Sequence, residues 1–458
     1  MSYTHGMPFT DEQPFLEAIF ARFHDDGPRF IYADFLDDAG DAERAELVRV
    51  QVALSRMTED DPLHANLKNQ EAELLETHLD RWSEHLSDLE LEQCEFRRGV
   101  LDSIVVSAAT FLEKGDELLR RVPVRRLRLR DSAVVMPKLM NSQLLANVRE
   151  LDLCGDQIGN GGVNLLVRSQ FLKNLDLLDL GFTGIDDTGV TTLAQARTLP
   201  KLSCLSLSAN GQITSAGIME LAGSPFVGGL TSLDVFGNEI DEVGLSAIIA
   251  SKTLTSLHTL RLSRNHLGNA GIAALARSSL FERMLSQSSR VEIRKNEIGP
   301  SGIAALAACP LLARCTSLDV SNNEIGDTGL SALVKSPHLQ NLKVLKVSHN
   351  HITDAGIEKL REYWPRAFGQ LQIFDISENM GLTRIGCRIL EHENKGGSTM
   401  LDTSGNGQPS VGGVTPISGE ELVQSSNQGV SELEEAERLR RRVSHPAMRG
   451  QIRPNPHG

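Results

Sequence analysis

CTSLDVSNNEIGDTGLSALV, residues 315–334, is the stretch on which the reading of the chain turns. Its first half alternates: Leu318 and Val320 face one side and Asp319 the other, the period of a half-buried strand. Asn323 closes the strand, where an amide side chain can bond backbone groups of the departing turn. Gly329 and Leu333 then fall at helical spacing, the start of an amphipathic helix that returns antiparallel to the strand.

The pattern L-x-x-L-x-L-x-x-N-x-(I/L) recurs on both sides of this stretch. It reads VRELDLCGDQI at 148, LDLLDLGFTGI at 175, LTSLDVFGNEI at 230, LHTLRLSRNHL at 257, SSRVEIRKNEI at 288, LKVLKVSHNHI at 342 and LQIFDISENMGL at 371. LSLSANGQI, closing at Ile213, supplies the ninth unit. Asn-type positions are Asp156, Thr183, Asn210, Asn238, Asn265, Asn296, Asn323, Asn350 and Asn379, separated by 27, 27, 28, 27, 31, 27, 27 and 29 residues. A glycine follows each by six or seven residues, from Gly162 to Gly386, and an aliphatic residue follows four later, from Leu166 to Leu390. Two ladders in one register exclude coincidence. VRRLRLRDS at 124 reads as a tenth, N-terminal strand. One such unit cannot bury its own apolar edge; side by side, the units share a continuous core and bend, because helices are wider than strands.

Composition agrees. The chain has 458 residues, 64 of them leucine and only 20 aromatic, as suits a repeat stack. No apolar run approaches the roughly 18–20 residues needed to cross a bilayer. The first residues, MSYTHGMPFTDEQP, lack the basic and apolar regions of a signal peptide. Six cysteines lie scattered without metal-ligand spacing, which implies reduced thiols in a cytoplasmic protein. Of the net charge of −14, all resides in residues 1–100, with 9 basic against 23 acidic groups; the remainder is balanced. That boundary separates two modules and disfavours nucleic acid as a partner.

Residues 124–390 resemble leucine-rich repeats of the ribonuclease-inhibitor type. Asp156, Thr183 and the extra residues around Phe281–Gln287 depart from that pattern, and local loosening of the stack is expected there. Ahead of them, FLEAIFARFHDDGPRFIYADFLDDAGDAERAELVRVQVALSRM is similar to a bacterial repeat-companion domain. The signature is carried by Asp26, Pro28, Arg29, Tyr32, Ala33, Asp34, Leu36, Gly40, Asp41, Arg44, Ala45, Glu46, Arg49 and Gln51, and CEFRRGVLDSIVVSAATFL at 94–112 fits that family's run into the repeats. The resemblance implies a bacterial protein but no biochemical role.

The expected architecture is α/β: a leucine-rich-repeat solenoid, parallel strands concave and helices convex, preceded by a small α-helical domain. Residues 1–11 read as a flexible N-terminus, 12–115 as the acidic helical domain, 116–392 as nine to ten repeats, and 393–458 as a mostly disordered tail. Helices are expected from Pro14, from Pro28, from a cap at Asp41 and from Asp61-Pro62, with a short one near 431–443 in the tail. Ser444, in R-R-V-S, resembles a basophilic-kinase target.

Function is expected on the concave face. Its candidate partner-binding residues are Arg126, Arg128, Arg130, Asp152, Asp179, Asp234, Phe236, Arg261, Arg264, Glu292, Arg294 and Lys346. An aromatic flanked by arginine is the usual make-up of an interface hot spot. Two bland readings compete: the recurrent aspartates as a habit of the repeat, and the arginines of 121–130 as a dock for the acidic module. The acids at 34, 37, 38 and 41 lack cation-loop order, and His349 and His351 lack a third ligand. No catalytic or metal-binding constellation stands out, and no cofactor is expected. The sequence therefore predicts a monomeric, non-enzymatic scaffold for a protein partner, away from nucleic acid and membrane. The alternative is a regulator resembling the Ran GTPase-activating proteins.

Overall fold

The computed structural model describes residues 12–22, 25–57, 63–122, 124–367, 370–393 and 399–406. The expectations for residues 1–11, the tail helix and Ser444 lie outside them. The chain divides into two compact units between Asp131 and Ser132, and each is described by itself.

The first unit opens with helices α1 (Gln13–Ala21), α2 (Gly27–Asp38), α3 (Ala42–Arg56) and α4 (His64–Ser83). Prolines sit in the first turn of α1 and α2, where their missing N–H costs nothing. Asp41 precedes α3 but does not cap it; its carboxylate is drawn instead to Arg81, 2.6 Å away. The reading of residues 12–110 as short helices holds for α1 to α4 and gives way to strand after residue 92. Strands β1 (Gln93–Arg97) and β2 (Val100–Ser107) form an antiparallel hairpin, turned by Arg98 and Gly99, both at positive φ. Helix α5 (Ala108–Arg121) returns the chain to β3 (Arg126–Arg130), which pairs parallel with β2. That pairing explains why the division falls after residue 131, and not at the expected boundary between residues 115 and 116.

Signature residues of this unit mostly hold it together. Buried Glu12 accepts from the Tyr32 hydroxyl at 2.8 Å and from Arg44 at 3.1 Å, while the Arg44 guanidinium lies over the Tyr32 and Phe96 rings. Gln51 donates to Glu71 and to the Phe96 carbonyl and accepts from the Gly99 amide, tying α3 to α4 and to the hairpin. Arg49 bridges Asp34 and Asp37.

The second unit begins with α6 (Ser132–Met140) and then alternates strand and helix. Its first half is β4 (Glu150–Asp152), α7 (Gly159–Leu166), β5 (Leu177–Asp179), α8 (Asp187–Ala194), β6 (Cys204–Ser206), α9 (Ser215–Gly223), β7 (Ser232–Asp234), α10 (Glu242–Ala250) and β8 (Thr259–Arg261). After α11 (Gly268–Ala276) comes an additional helix, α12 (Ser279–Gln287). The second half is β9 (Arg290–Glu292), α13 (Pro300–Ala307), β10 (Ser317–Asp319), α14 (Gly326–Val334), β11 (Val344–Lys346), α15 (Asp354–Ala367), β12 (Ile373–Asp375), α16 (Arg384–Glu393) and β13 (Met400–Asp402).

Within each half the strands are parallel and in register. Leu151, Leu178, Leu205, Leu233 and Leu260 align across β4 to β8, and Val291, Leu318, Leu345, Phe374 and Leu401 across β9 to β13. Leu153, Leu180, Leu207, Val235 and Leu262 form the next buried row. Each strand end donates to its neighbour, as Leu153 N–H does to the Asp179 carbonyl at 3.0 Å. β13 extends the array past residue 392, where the sequence reading ended it, because Met400–Asp402 pair with β12. Asn406 continues the asparagine ladder 27 residues after Asn379, and its Oδ1 accepts the Asn379 amide at 2.7 Å.

That ladder is a chain of amides. Asn210 Oδ1 accepts the Thr183 and Gly184 amides at 2.9 and 3.0 Å, while its Nδ2 donates to the Leu180 and Leu207 carbonyls. The departures do not simply loosen it. Thr183 keeps the donor half, to the Leu180 carbonyl at 2.7 Å, and Asp156 keeps the acceptor half, from the Ser132 amide at 2.8 Å. The glycine ladder has a steric cause. A Cβ on Gly244 would lie 2.6 Å from Ser215 Oγ, and on Gly302 2.9 Å from Asn269 Cα. Each of those glycine amides also donates to the same neighbour's side chain.

Candidate interaction surface

One row of side chains faces out from the strands four residues before each Asn-type position: Asp152, Asp179, Ser206, Asp234, Arg261, Glu292, Asp319, Lys346, Asp375 and Asp402. Every aspartate in it is committed locally. Asp152, Asp179, Asp234, Asp319, Asp375 and Asp402 each accept, through Oδ1, the backbone N–H two residues on, at 2.9–3.1 Å. The carboxylate satisfies an amide that the strand end would otherwise orphan. The three aspartates among the expected binding residues thus have a structural duty, and the recurrence in sequence was its signature.

Besides Ser206, whose hydroxyl bonds that of Ser208, Arg261, Glu292 and Lys346 break the row. Their side chains cannot accept that amide or, for Glu292, are not seen to, so the repeat does not explain them. Arg261 lies 3.4 Å from Asp234, and Arg294 lies 3.8 Å from Asp319, whose burial pushes its carboxyl above the usual range. Phe236 is half-buried, with the Arg264 guanidinium 5.7 Å from its ring centroid. This is the arginine-flanked aromatic the sequence predicts.

Arg126, Arg128 and Arg130 occupy alternate positions of β3, half-buried, in the first unit. In the same unit Arg130 lies 4.0 Å from Glu92, and Arg121 bonds Asp88 and the His85 carbonyl.

The structure adds features the sequence reading passed over. Asp152, Cys154 and Asp179 bring ligand-type atoms within 4.8 Å of one another, all buried, a product of stacking adjacent repeats. On the turn row, His266 lies between Glu239, 2.8 Å from Nε2, and Glu297, which contacts Nδ1. Cys309 and Cys315 are buried thiols bonded to backbone carbonyls, and burial pushes the Cys315 thiol up to about 12. No helix among the described residues is long and apolar enough to cross a membrane.

Five segments of the chain, 171–194, 230–248, 253–276, 316–334 and 338–360, match the family model described as Leucine Rich repeat. The chain carries leucine-rich repeats. Between and beyond the matched segments the same strand–helix repeat continues, so the leucine-rich-repeat array spans β4 to β13, with its sheet in two parts, β4 to β8 and β9 to β13. No curated protein sequence matches the chain. Among solved structures, an internalin (inlF) from Listeria monocytogenes is 18% identical, with a TM-score of 0.38, covering 79% of this chain and 89% of that one. The Rad7 and Elc1 complex of yeast gives 13% identity and a TM-score of 0.45, covering 85% of this chain and 95% of that one.

Proposed function

We propose that the protein is a non-enzymatic scaffold whose leucine-rich-repeat array binds a protein partner on its strand-side face. The observation that carries this is the contrast within one row. Where aspartate serves the fold, it recurs; where the row changes, at Arg261, Glu292 and Lys346, the repeat has no use for the side chain. Beside them stand Phe236, Arg264 and Arg294, the residue types that dominate interface energetics. The aspartates shape the backbone that presents this group, and the leucine rows beneath keep it rigid.

A pull-down with the full chain from a lysate, repeated with Phe236→Ala and Arg261→Ala, tests the reading. A partner whose capture falls at least tenfold with either variant, while thermal melting is unchanged, is the expected result. Equal capture by both variants would reject the strand-side face, and capture of nothing by the natural chain would reject the scaffold.

A further inference from the structure

The parallel ladder fails at one junction. At every other junction from β4 to β13, the residue after a strand donates to the next strand's last carbonyl, as Val235 N–H does to the Arg261 carbonyl at 3.1 Å and Ile293 N–H to the Asp319 carbonyl at 3.0 Å. Between β8 and β9 the equivalent bond, from Leu262 N–H to the Glu292 carbonyl, is missing, and the sheet is interrupted there. The Ser263 hydroxyl stands in, donating to the Glu292 carbonyl and accepting from the Arg294 amide, both at 3.2 Å. Beyond it the turn ladder resumes, with Arg264 N–H to the Arg294 carbonyl at 2.8 Å. The break coincides with α12, which is inserted between α11 and β9 and buries Leu280, Phe281 and Leu285. Exposure follows the opening. Among the strand residues of β4 to β11, only Thr259, Arg290 and Glu292 are exposed.

Charge gathers at the same place. Arg261, Arg264, Arg290, Arg294 and Lys295 surround the opening against Glu292, with Asp234 and Asp319 flanking on the neighbouring strands. Both of those aspartates already hold turn amides. A chain of net charge −14 thus keeps a basic island where its sheet is open. Arginine presents a fork that matches a carboxylate with two parallel hydrogen bonds.

We infer that the opening between β8 and β9 is the docking site, and that its occupant is an acidic, extended peptide segment of a protein partner. The inference rests on the scaffold reading and names the chemistry of its partner. Carboxylates of the segment meet Arg290 at the exposed side of β9 and compete with Asp234 and Asp319 for Arg261 and Arg294, across the strand-side surface of the junction.

The test is fluorescence anisotropy at low ionic strength with the full chain and a fluorescein-labelled peptide alternating glutamate and threonine. Binding is expected, weakened at least tenfold by Arg261→Glu with Arg290→Glu, weakened by added salt, and unchanged by Lys173→Glu. A peptide alternating lysine and threonine should bind the reversed variant more tightly than the natural chain, whose acidic first hundred residues set the baseline. If the reversed variant melts lower than the natural chain, Arg261→Gln with Arg290→Gln replaces it. No binding of the acidic peptide, equal binding by the variants, or tighter binding of a single-stranded oligothymidine competitor overturns the inference. The two readings fail separately. A captured partner retained by the reversed variant ends this inference and leaves the scaffold, whereas peptide binding is read without any lysate.

Discussion

Asn323 shows how much one repeat residue carries. Its Oδ1 accepts the Asn296 and Ile298 amides at 2.9 and 3.1 Å, and its Nδ2 donates to the Ile293 and Val320 carbonyls, all in the dry interior. Asn323→Ala orphans those groups, and a loss of about 3 kcal/mol is expected by urea unfolding. Asn296 is the control: its Oδ1 has no partner among the described residues, because the ladder is interrupted there, so Asn296→Ala should cost clearly less. Equal losses would mean that the ladder does not organise the array. His266 permits a pH argument. The hydrogen bond that its ring donates to Glu297, helped by the charge of Glu239, raises its pKa above the usual 6.5. The folded pKa exceeds the unfolded one, so the stabilisation is fully present below pH 6.5 and fades as pH rises through the folded value. The site is exposed, which holds the effect below about 1 kcal/mol. Urea midpoints of the natural chain and His266→Gln should therefore differ at pH 5.5 and converge at pH 9; a constant difference would remove the titration from the explanation.

At the scale of elements, the 27-residue period placed β4 to β12 and their helices, because leucine, asparagine and glycine each answer a fixed steric or hydrogen-bonding demand. Where the demand is met by another residue, the sequence was silent. β13 has a single core leucine, Leu401, in a Gly/Ser-rich stretch, and it shows itself through Asn406 and strand pairing. The β1–β2 hairpin was hidden within a stretch read as short helices from its prolines and caps, although Arg98-Gly99 is a two-residue turn. The aspartates were visible as a habit, but only their amide bonds separate fold from recognition. The extra residues of the long repeat read as a loosening; they form α12, capped by Ser278 and anchored by Phe281. Phe281→Ala should destabilise the array by about 3–5 kcal/mol, and Ser278→Ala by about 1 kcal/mol. A solvent-facing change in the same helix, Glu282→Ala, should be near neutral. If Phe281→Ala were as mild in a thermal melt, α12 would not be anchored by Phe281.

For the whole repeat array, stability is a sum of nearest-neighbour terms, so its weakest junction sets where it opens. Between other repeats, three interactions act together: leucine rows, strand ladder and asparagine ladder. At β8–β9 the strand bonds reduce to the Ser263 hydroxyl and the asparagine ladder loses one acceptor, so apolar packing of α11, α12 and α13 carries more of the junction. Two cooperative blocks follow, Ser132–Asn265 and Arg290–Asn406. Native-state hydrogen exchange at low denaturant should resolve two opening free energies, with amides of each block sharing one value. Ser263→Ala should widen the gap between them, since it removes the hydroxyl that bridges the two strands while leaving the turn bonds and both leucine cores intact. Exchange of all array amides through one global opening, in both the natural chain and Ser263→Ala, would show that the junction is as strong as its neighbours.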